Sequence, residues 1–326
     1  MKVLLTGANG FVGSHILDEL IEHGFETSIL IRKTSHTGFI GNHIDNVPVH
    51  YGSLDDKAAV AQAVTGTDAI VHCAAKTKVL HTSEFHEVNV IGTQNIVQAA
   101  TDTRHLLQFV FISTLGVSGP GTIEHPSLET DPPNPLSPYS KSKAEGEVIV
   151  RSMTAPWTIL RLAAVYGPRD TDFLQAFRTI RRGLIPLPGG RDQTMNLVYG
   201  RDVAIAVRRS LGNSNAFGKT YHIAAEPPYS AKRMADAIAD SMNTRGARKV
   251  SIPSPVLYAA CILQEGISRL TKRPHVLTRQ KLPELRARGW VCSTELAKKD
   301  IGFTAPTALP EGLAKTADWY RQEGML

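Results

Sequence analysis

The chain is poor in cysteine. Its 326 residues include three, Cys73, Cys261 and Cys292. An odd number at such wide spacing excludes a disulfide framework and offers no paired zinc ligands. It suits a reducing compartment, and a cytoplasmic location is expected. Long apolar runs are also missing. The longest notable one, Val256 to Leu263, falls well short of the ~20 residues that span a bilayer. It predicts a buried helix, with peripheral membrane contact as the minor alternative. Charge of one sign is not blocked. The net charge of +6 is scattered, which argues against a nucleic-acid partner. One local basic cluster, Arg178, Arg181 and Arg182, reads as a solvated helix face. There are 12 histidines, but His36, His43 and His50 lack close ligand spacing, so no metal is expected. His81 and His86 flank a helix start and can line a cleft. No internal repeat and no low-complexity segment occurs. An apolar strand opens the sequence, so no signal peptide is expected ahead of the fold.

What is present is ordinary globular material. A hydrophobic fraction of 42% supplies a sizeable core. The length fits one large domain or two modest ones. Apolar, β-branched runs at 2–6, 27–32, 47–51, 69–74, 108–113 and 158–163 predict strands. Helical spacing predicts helices near 13–23, 55–64, 84–101 and 138–152. Strands without polar alternation, separated by helices, imply a parallel, doubly wound α/β sheet. After Gly167-Pro168 the pattern turns irregular and rich in proline and glycine, while 197–224 again resembles sheet material. The expected division is 1–167 plus about 197–224 as one domain, and 168–196 plus 225–326 as a smaller lobe. Asp202 reads as the N-cap of a helix from Val203 to Leu211. Glu145 and Glu147 read as a solvated helix face.

The first strand, Lys2 to Thr6, runs straight into Gly7-Ala8-Asn9-Gly10-Phe11-Val12-Gly13. Gly7 permits a tight turn. Gly10 lets backbone approach a pyrophosphate, and Gly13 lets the following helix pack closely on the strand. The helix N-terminus offers free N–H groups and a positive dipole end. Far downstream stands Tyr139-Ser-Lys-Ser-Lys143, 25 residues after Ser113-Thr114 closes a strand. A free tyrosine ionises near pH ~10. A lysine one helical turn away shares its face and favours the phenolate. Tyr139 is then suited to general acid–base work on a carbonyl or alcohol.

In this order and spacing the motifs resemble the extended short-chain dehydrogenase/reductases, the NAD(P)-dependent epimerase/dehydratase family. Further matching segments are Val71-His72-x-Ala74-Ala75, Val88-Asn89-Val90-x-Gly92-Thr93-x-Asn95, Phe111-Ile112-Ser113-Thr114 and Val165-Tyr166-Gly167-Pro168. The resemblance runs almost the full length. It implies a Rossmann-type sheet with a mostly C-terminal substrate lobe, and a homodimer joined through the helices near 84–101 and 138–152. It implies Thr114, Tyr139 and Lys143 as catalytic residues, Lys143 also holding the nicotinamide ribose. It places Asn9, Phe11 and Val12 of the turn, Ser53, Leu54, Ala74, Ala75, Lys76, Asn89, Leu162 and Val165 along the cofactor.

Cofactor choice is read at the end of the second strand. NAD enzymes commonly carry an acid there, about 20 residues after the glycines. This chain has Ile29-Leu30-Ile31-Arg32-Lys33-Thr34. Arg32 can pair with a 2′-phosphate, and Lys33 adds charge. NADP(H) is favoured, with NAD(H) as the alternative. Ser53 departs from the aspartate usual beside Leu54. Relatives that bind nucleotide sugars usually carry asparagine at the Ala164 position and an arginine near Met195. Their absence points to a small-molecule apolar carbonyl substrate, closest to the dihydroflavonol-reductase-like and 3β-hydroxysteroid-dehydrogenase-like branches. Tyr166, Met195 and Tyr199, with Thr114, are the substrate-facing candidates. Arg191 or Arg201 remains able to supply the missing charge, which keeps a nucleotide-sugar epimerase or dehydratase as the runner-up. A cofactor-sensing regulator without activity is disfavoured, since it needs no proton donor.

Overall fold

The computed structural model describes residues 1–103, 106–188, 192–244, 248–272 and 278–326. Seven parallel strands form the main sheet. In chain order the first six are β1 (Lys2–Thr6), β2 (Glu26–Ile31), β3 (Val49–Tyr51), β4 (Ala69–His72), β5 (Gln108–Thr114) and β6 (Trp157–Leu162). The seventh is the strand Lys219–Ile223. Across the sheet it lies first, followed by β6, β5, β4, β1, β2 and β3. The order reverses between β1 and β4, both of which pair directly. In a doubly wound sheet this reversal opens a crevice at the carboxyl ends of the strands.

Helices cover both faces. These are α1 (Phe11–Glu22), α2 (Lys57–Val64), α3 (Ser83–Phe85), α4 (Gly92–Thr101) and α5 (Pro138–Arg151). Between α3 and α4 the chain makes a π-helical segment, His86–Ile91. One face of the sheet packs Val3, Leu5, Ile16, Leu20 and Ile29 into a core that also takes Ile223, Ile301 and Phe303. The other face packs Leu4, Val60, Ile96, Phe109 and Val150. Alternate residues of one strand therefore serve opposite cores, as a period of two requires. Strand and helix boundaries fall within a few residues of those expected.

A third core gathers Tyr166, Phe177, Ile185, Tyr199, Ile238, Leu313 and Tyr320. Short strands at Thr194–Met195, Tyr229–Ser230 and Gly289–Trp290 form a separate small sheet beside it. Three expectations are corrected here. Arg178 is half-buried and donates to the carbonyl of Met325 at 3.1–3.2 Å, whereas Arg181 and Arg182 are exposed. The helix expected from Val203 begins at Gly200. Asp202 therefore sits inside its first turn and accepts from Thr307 Oγ1 at 2.7 Å and Thr307 N at 3.1 Å. The run from Val256 does form a helix, Ser254–Thr271. It buries only Leu257, Cys261 and Ser268 fully, and its remaining apolar side chains point outward.

Candidate active site

The glycine turn is held by close backbone approaches. Gly7 has φ +75°, and a Cβ there would stand 2.6 Å from the Ala74 nitrogen. At Gly13 a Cβ would lie 2.0 Å from the Gly7 carbonyl oxygen. Neither position accepts a side chain. At Gly10 only that same carbonyl comes within 4 Å, at 3.4 Å. Gly10 is exposed and caps α1 without a side-chain hydrogen bond. The uncapped first turn leaves N–H donors and the positive end of the helix facing the crevice, the arrangement that suits a pyrophosphate.

Polar side chains brace the neighbouring strand ends. Thr6 Oγ1 hydrogen-bonds His72 Nδ1 at 2.8 Å and accepts from Ala74 N at 3.2 Å. His72 Nε2 meets Thr93 Oγ1 at 3.2 Å. Burial pushes the His72 imidazole down to about 3, with Lys143 adding to the effect, so it is a neutral brace. Asn89, in the π segment, accepts from Lys76 N at 2.8 Å and donates to Lys76 O at 3.0 Å and Ser142 Oγ at 3.0 Å. It thereby ties the loop after β4 to α5. π-helical turns commonly mark functional sites.

The sequence explains why α5 starts where it does. Ser137 and Ser140 form a reciprocal capping box, Ser140 N donating to Ser137 Oγ at 3.2 Å and Ser137 N to Ser140 Oγ at 3.0 Å. Pro138 occupies the first turn, where its missing N–H costs nothing. This puts Tyr139 in the first turn and Lys143 one turn on. Lys143 is 1% exposed, and its ammonium lies 3.9 Å from the centroid of the Phe111 ring. Burial pulls it down to about 8, opposed by Cys73 and Glu147. Burial pushes the Tyr139 hydroxyl well above the ordinary tyrosine value, and Cys73 and Glu284 act the same way. The direction is opposite to the pull toward the phenolate expected from the Lys143 spacing, and the tyrosine is held as a proton donor. Cys73, near both groups, is pushed by burial up to about 12 and stays a thiol. Thr114 closes β5, its Oγ1 accepting from Gly116 N at 3.2 Å.

Tyr139 opens onto a cavity of about 140 Å³, shared with Lys78, Val79, Phe85, Pro138 and Asp172. The Phe85 and Tyr139 ring centroids are 5.9 Å apart. Lys78 and Asp172 form an ion pair on its wall. The remaining candidates are placed less evenly. Arg32 and Lys33 are exposed just beyond β2, and Arg32 acts electrostatically on Asp55, whose carboxyl Ser53 also bonds. The carbonyl of Leu54 accepts from Asn95 at 2.8 Å. Asn9 reaches the His36 carbonyl at 3.4 Å. Phe11 and Val12 open α1, half-buried, while Ala74, Ala75 and Lys76 follow β4, also half-buried. Leu162 ends β6 in the core, and Val165 packs against that core. Tyr166 and Tyr199 sit in the third core, 2% and 6% exposed, and line neither this cavity nor the larger one beside it. Met195 pairs with Tyr229 in the small sheet. His81 and His86 are exposed and line neither cavity. Arg201 is engaged by Glu22, and Arg191 lies outside the described residues.

Glu147 is a correction. It is not solvated: it binds Arg161 through both oxygens, Nε at 2.9 Å and Nη2 at 2.7 Å, and accepts from Ser113 at 2.6 Å. Arg161 continues to Ser118, which meets His222 at 2.7 Å. This buried network lies directly behind the Ser113-Thr114 strand end and one turn beyond Lys143. Glu284, from a short C-terminal helix, also reaches α5, where it accepts from Ser140 Oγ at 3.4 Å. No sequence motif points to either feature.

Residues 3–224 match the sequence pattern of the NAD dependent epimerase/dehydratase family. The chain belongs to that family. It is 27% identical over 99% of its length to the ceramide reductase of Caulobacter vibrioides, covering 96% of that protein. It is 26% identical over 98% of its length to the N-acetyl-alpha-D-glucosaminyl-diphospho-ditrans,octacis-undecaprenol 4-epimerase of Escherichia coli O157:H7, covering 95% of it. Among solved structures, the dTDP-glucose 4,6-dehydratase DesIV of Streptomyces venezuelae, determined with NAD, superposes with a TM-score of 0.80. That match is at 23% identity over 99% of this chain and 97% of that one, which concerns the fold. An enzyme of an NAD(P)-dependent family with an extended short-chain dehydrogenase/reductase fold follows from these findings.

Proposed function

We propose that the chain is an NADP(H)-dependent oxidoreductase that interconverts an apolar ketone and its alcohol. The observation that carries this reading is the placement of Tyr139 on the wall of a cavity with Val79 and Phe85, with the buried Lys143 one turn behind it. The glycine cradle and the uncapped α1 fit a dinucleotide. Gly10 would admit its pyrophosphate while Gly7 and Gly13 keep the turn tight, and Ala74, Ala75, Asn89, Leu162 and Val165 would line its path. A bound nicotinamide supplies or accepts the hydride. Tyr139 gives its phenolic proton to the carbonyl oxygen in reduction and takes it back in oxidation. Thr114 hydrogen-bonds the same oxygen. Lys143, protonated at neutral pH, holds a ribose hydroxyl and stabilises the phenolate once the proton has left.

Arg32 and Lys33 support NADP(H), since both are free of burial at the β2 end and no acid stands in that segment. Two facts favour net reduction over sugar epimerisation. Met195 and Ala164 give a diphosphate no cation, and Arg201 is turned to Glu22 on α1. The reductase relative, named for ceramide, also fits an apolar carbonyl compound. The second reading, a nucleotide-sugar epimerase or dehydratase with retained NAD(+), draws its support from the Escherichia coli relative. Exposed Ile91 and Val148 on the 83–101 helical stretch and on α5 support self-association through those elements. The deciding experiment measures net NADPH consumption with apolar ketones against UDP- and dTDP-sugars. An epimerase recycles its cofactor and shows no net change.

A further inference from the structure

The Ser254–Thr271 helix presents an apolar face with no partner on it. Val256, Ala259, Leu263, Ile267 and Leu270 follow one another at three- and four-residue spacing, which aligns them on one side. Val256 is 57% exposed, Leu263 67% and Leu270 87%. No charged residue interrupts this stripe over four turns. The opposite side seats Leu257 and Cys261 against Leu282. Contiguous apolar surface of this kind marks an interaction site. No described helix is long and apolar enough to cross a membrane, so a helix of this composition lies in an interface plane rather than spanning it.

Two further observations select the occupant. The first is charge. The only acid in residues 254–272 is Glu265, and Arg279 engages it at 2.9 Å. Arg269 and Lys272 are exposed at the helix end. Cationic side chains flanking an apolar stripe suit anionic headgroups. The second is a cavity of about 430 Å³ on the flank of the same helix, between Tyr258 and Arg269 on one side and Val79 and Leu80 on the other. It shares Val79, Thr278 and Gln280 with the smaller cavity that holds Tyr139. The two cavities therefore adjoin, on a line from the edge of the exposed face to the proposed proton donor. A second copy of the chain has other apolar residues to meet, Ile91 and Val148, far from this helix in sequence.

We propose that the outward face of the Ser254–Thr271 helix docks on an anionic phospholipid surface, and that the cavity beside it leads a long-chain carbonyl compound from that surface to Tyr139. The second half of the proposal rests on the reductase reading above; the docking does not. The test is flotation of the full chain with vesicles of phosphatidylglycerol and phosphatidylcholine, beside vesicles of phosphatidylcholine alone. The chain should float with the anionic vesicles, and the doubly substituted Leu263→Asp, Leu270→Asp protein should lose at least tenfold in bound fraction. Both side chains are exposed, so its thermal unfolding should match the parent. In parallel, NADPH turnover is measured on a short water-soluble ketone and on a long-chain ketone held in the vesicles. The substitutions should slow only the second. A parent that stays unbound, or a variant that floats equally well, overturns the docking. So does a variant whose sole change is loss of a dimer in sedimentation. If neither ketone is reduced, the reductase reading fails while flotation still decides the docking.

Discussion

Glu147→Ala is the sharpest structural perturbation of this fold. Both carboxylate oxygens hold the Arg161 guanidinium, and Ser113 donates to one of them. Arg161 is 2% exposed. Without Glu147 its Nε and Nη2 lose these bonds, and Ser118 alone remains on Nη1 at 2.9 Å. Breaking a buried pair from one side costs about 3–5 kcal/mol, because the abandoned charge has no water. At roughly 2.1 cal/mol/K of unfolding entropy per residue, a chain of 326 residues converts that loss into a melting point lower by about 4–7 °C. Differential scanning calorimetry reads it directly. Replacing both partners, Glu147→Leu with Arg161→Met, should recover most of the loss, since no charge is then stranded. A single variant that melts within about 1 °C of the parent would refute the reasoning. So would a double variant that is as unstable as the sum of its parts.

Arg32→Ala should weaken NADP(H) by about 10- to 150-fold, the worth of one charge-assisted hydrogen bond, and leave NAD(H) nearly unchanged; titration calorimetry with both cofactors checks it, and equal losses would remove Arg32 from phosphate recognition. Activity should decline as pH rises through about 8, where Lys143 loses its proton. The stability sign is opposite: Lys143 binds its proton less tightly folded than unfolded, so its burial penalty is full below pH about 8 and fades toward the ordinary lysine value of 10.5. Rate and unfolding profiles across that window separate the two effects. Because Glu147 raises the Lys143 value, Glu147→Ala should also move the alkaline decline to lower pH.

Local pattern carried much of this fold. The run expected at 27–32 is the strand Glu26–Ile31, and the helix expected at 138–152 is Pro138–Arg151. These follow from periodicity and capping, which act over a few residues. The glycine turn was legible for the same reason. Glu147 was not. Its partner Arg161 is on the neighbouring strand, and a helix carboxylate at that spacing looks solvated until the strand is placed beside it. Asp202 and Thr307 are 105 residues apart, beyond any cap rule. The Val256 run was read as buried because hydropathy reports how apolar a helix is, not whether a partner covers each side. The shift at Tyr139 likewise comes from burial and from the charges of Cys73 and Glu284, which arrive from distant segments, so its direction could not be read from the Tyr-x-x-x-Lys spacing.

We propose that Tyr139 delivers a proton during net hydride chemistry. It is tested most directly by NADPH oxidation with an apolar ketone, in the parent and in Tyr139→Phe. The variant keeps the ring against Phe85 and loses only the hydroxyl. The parent should consume NADPH, and the variant should bind cofactor unchanged and turn over about 10²–10⁴-fold more slowly. Parental turnover in Tyr139→Phe, or tight nucleotide-sugar binding with no net cofactor change in the parent, would contradict it.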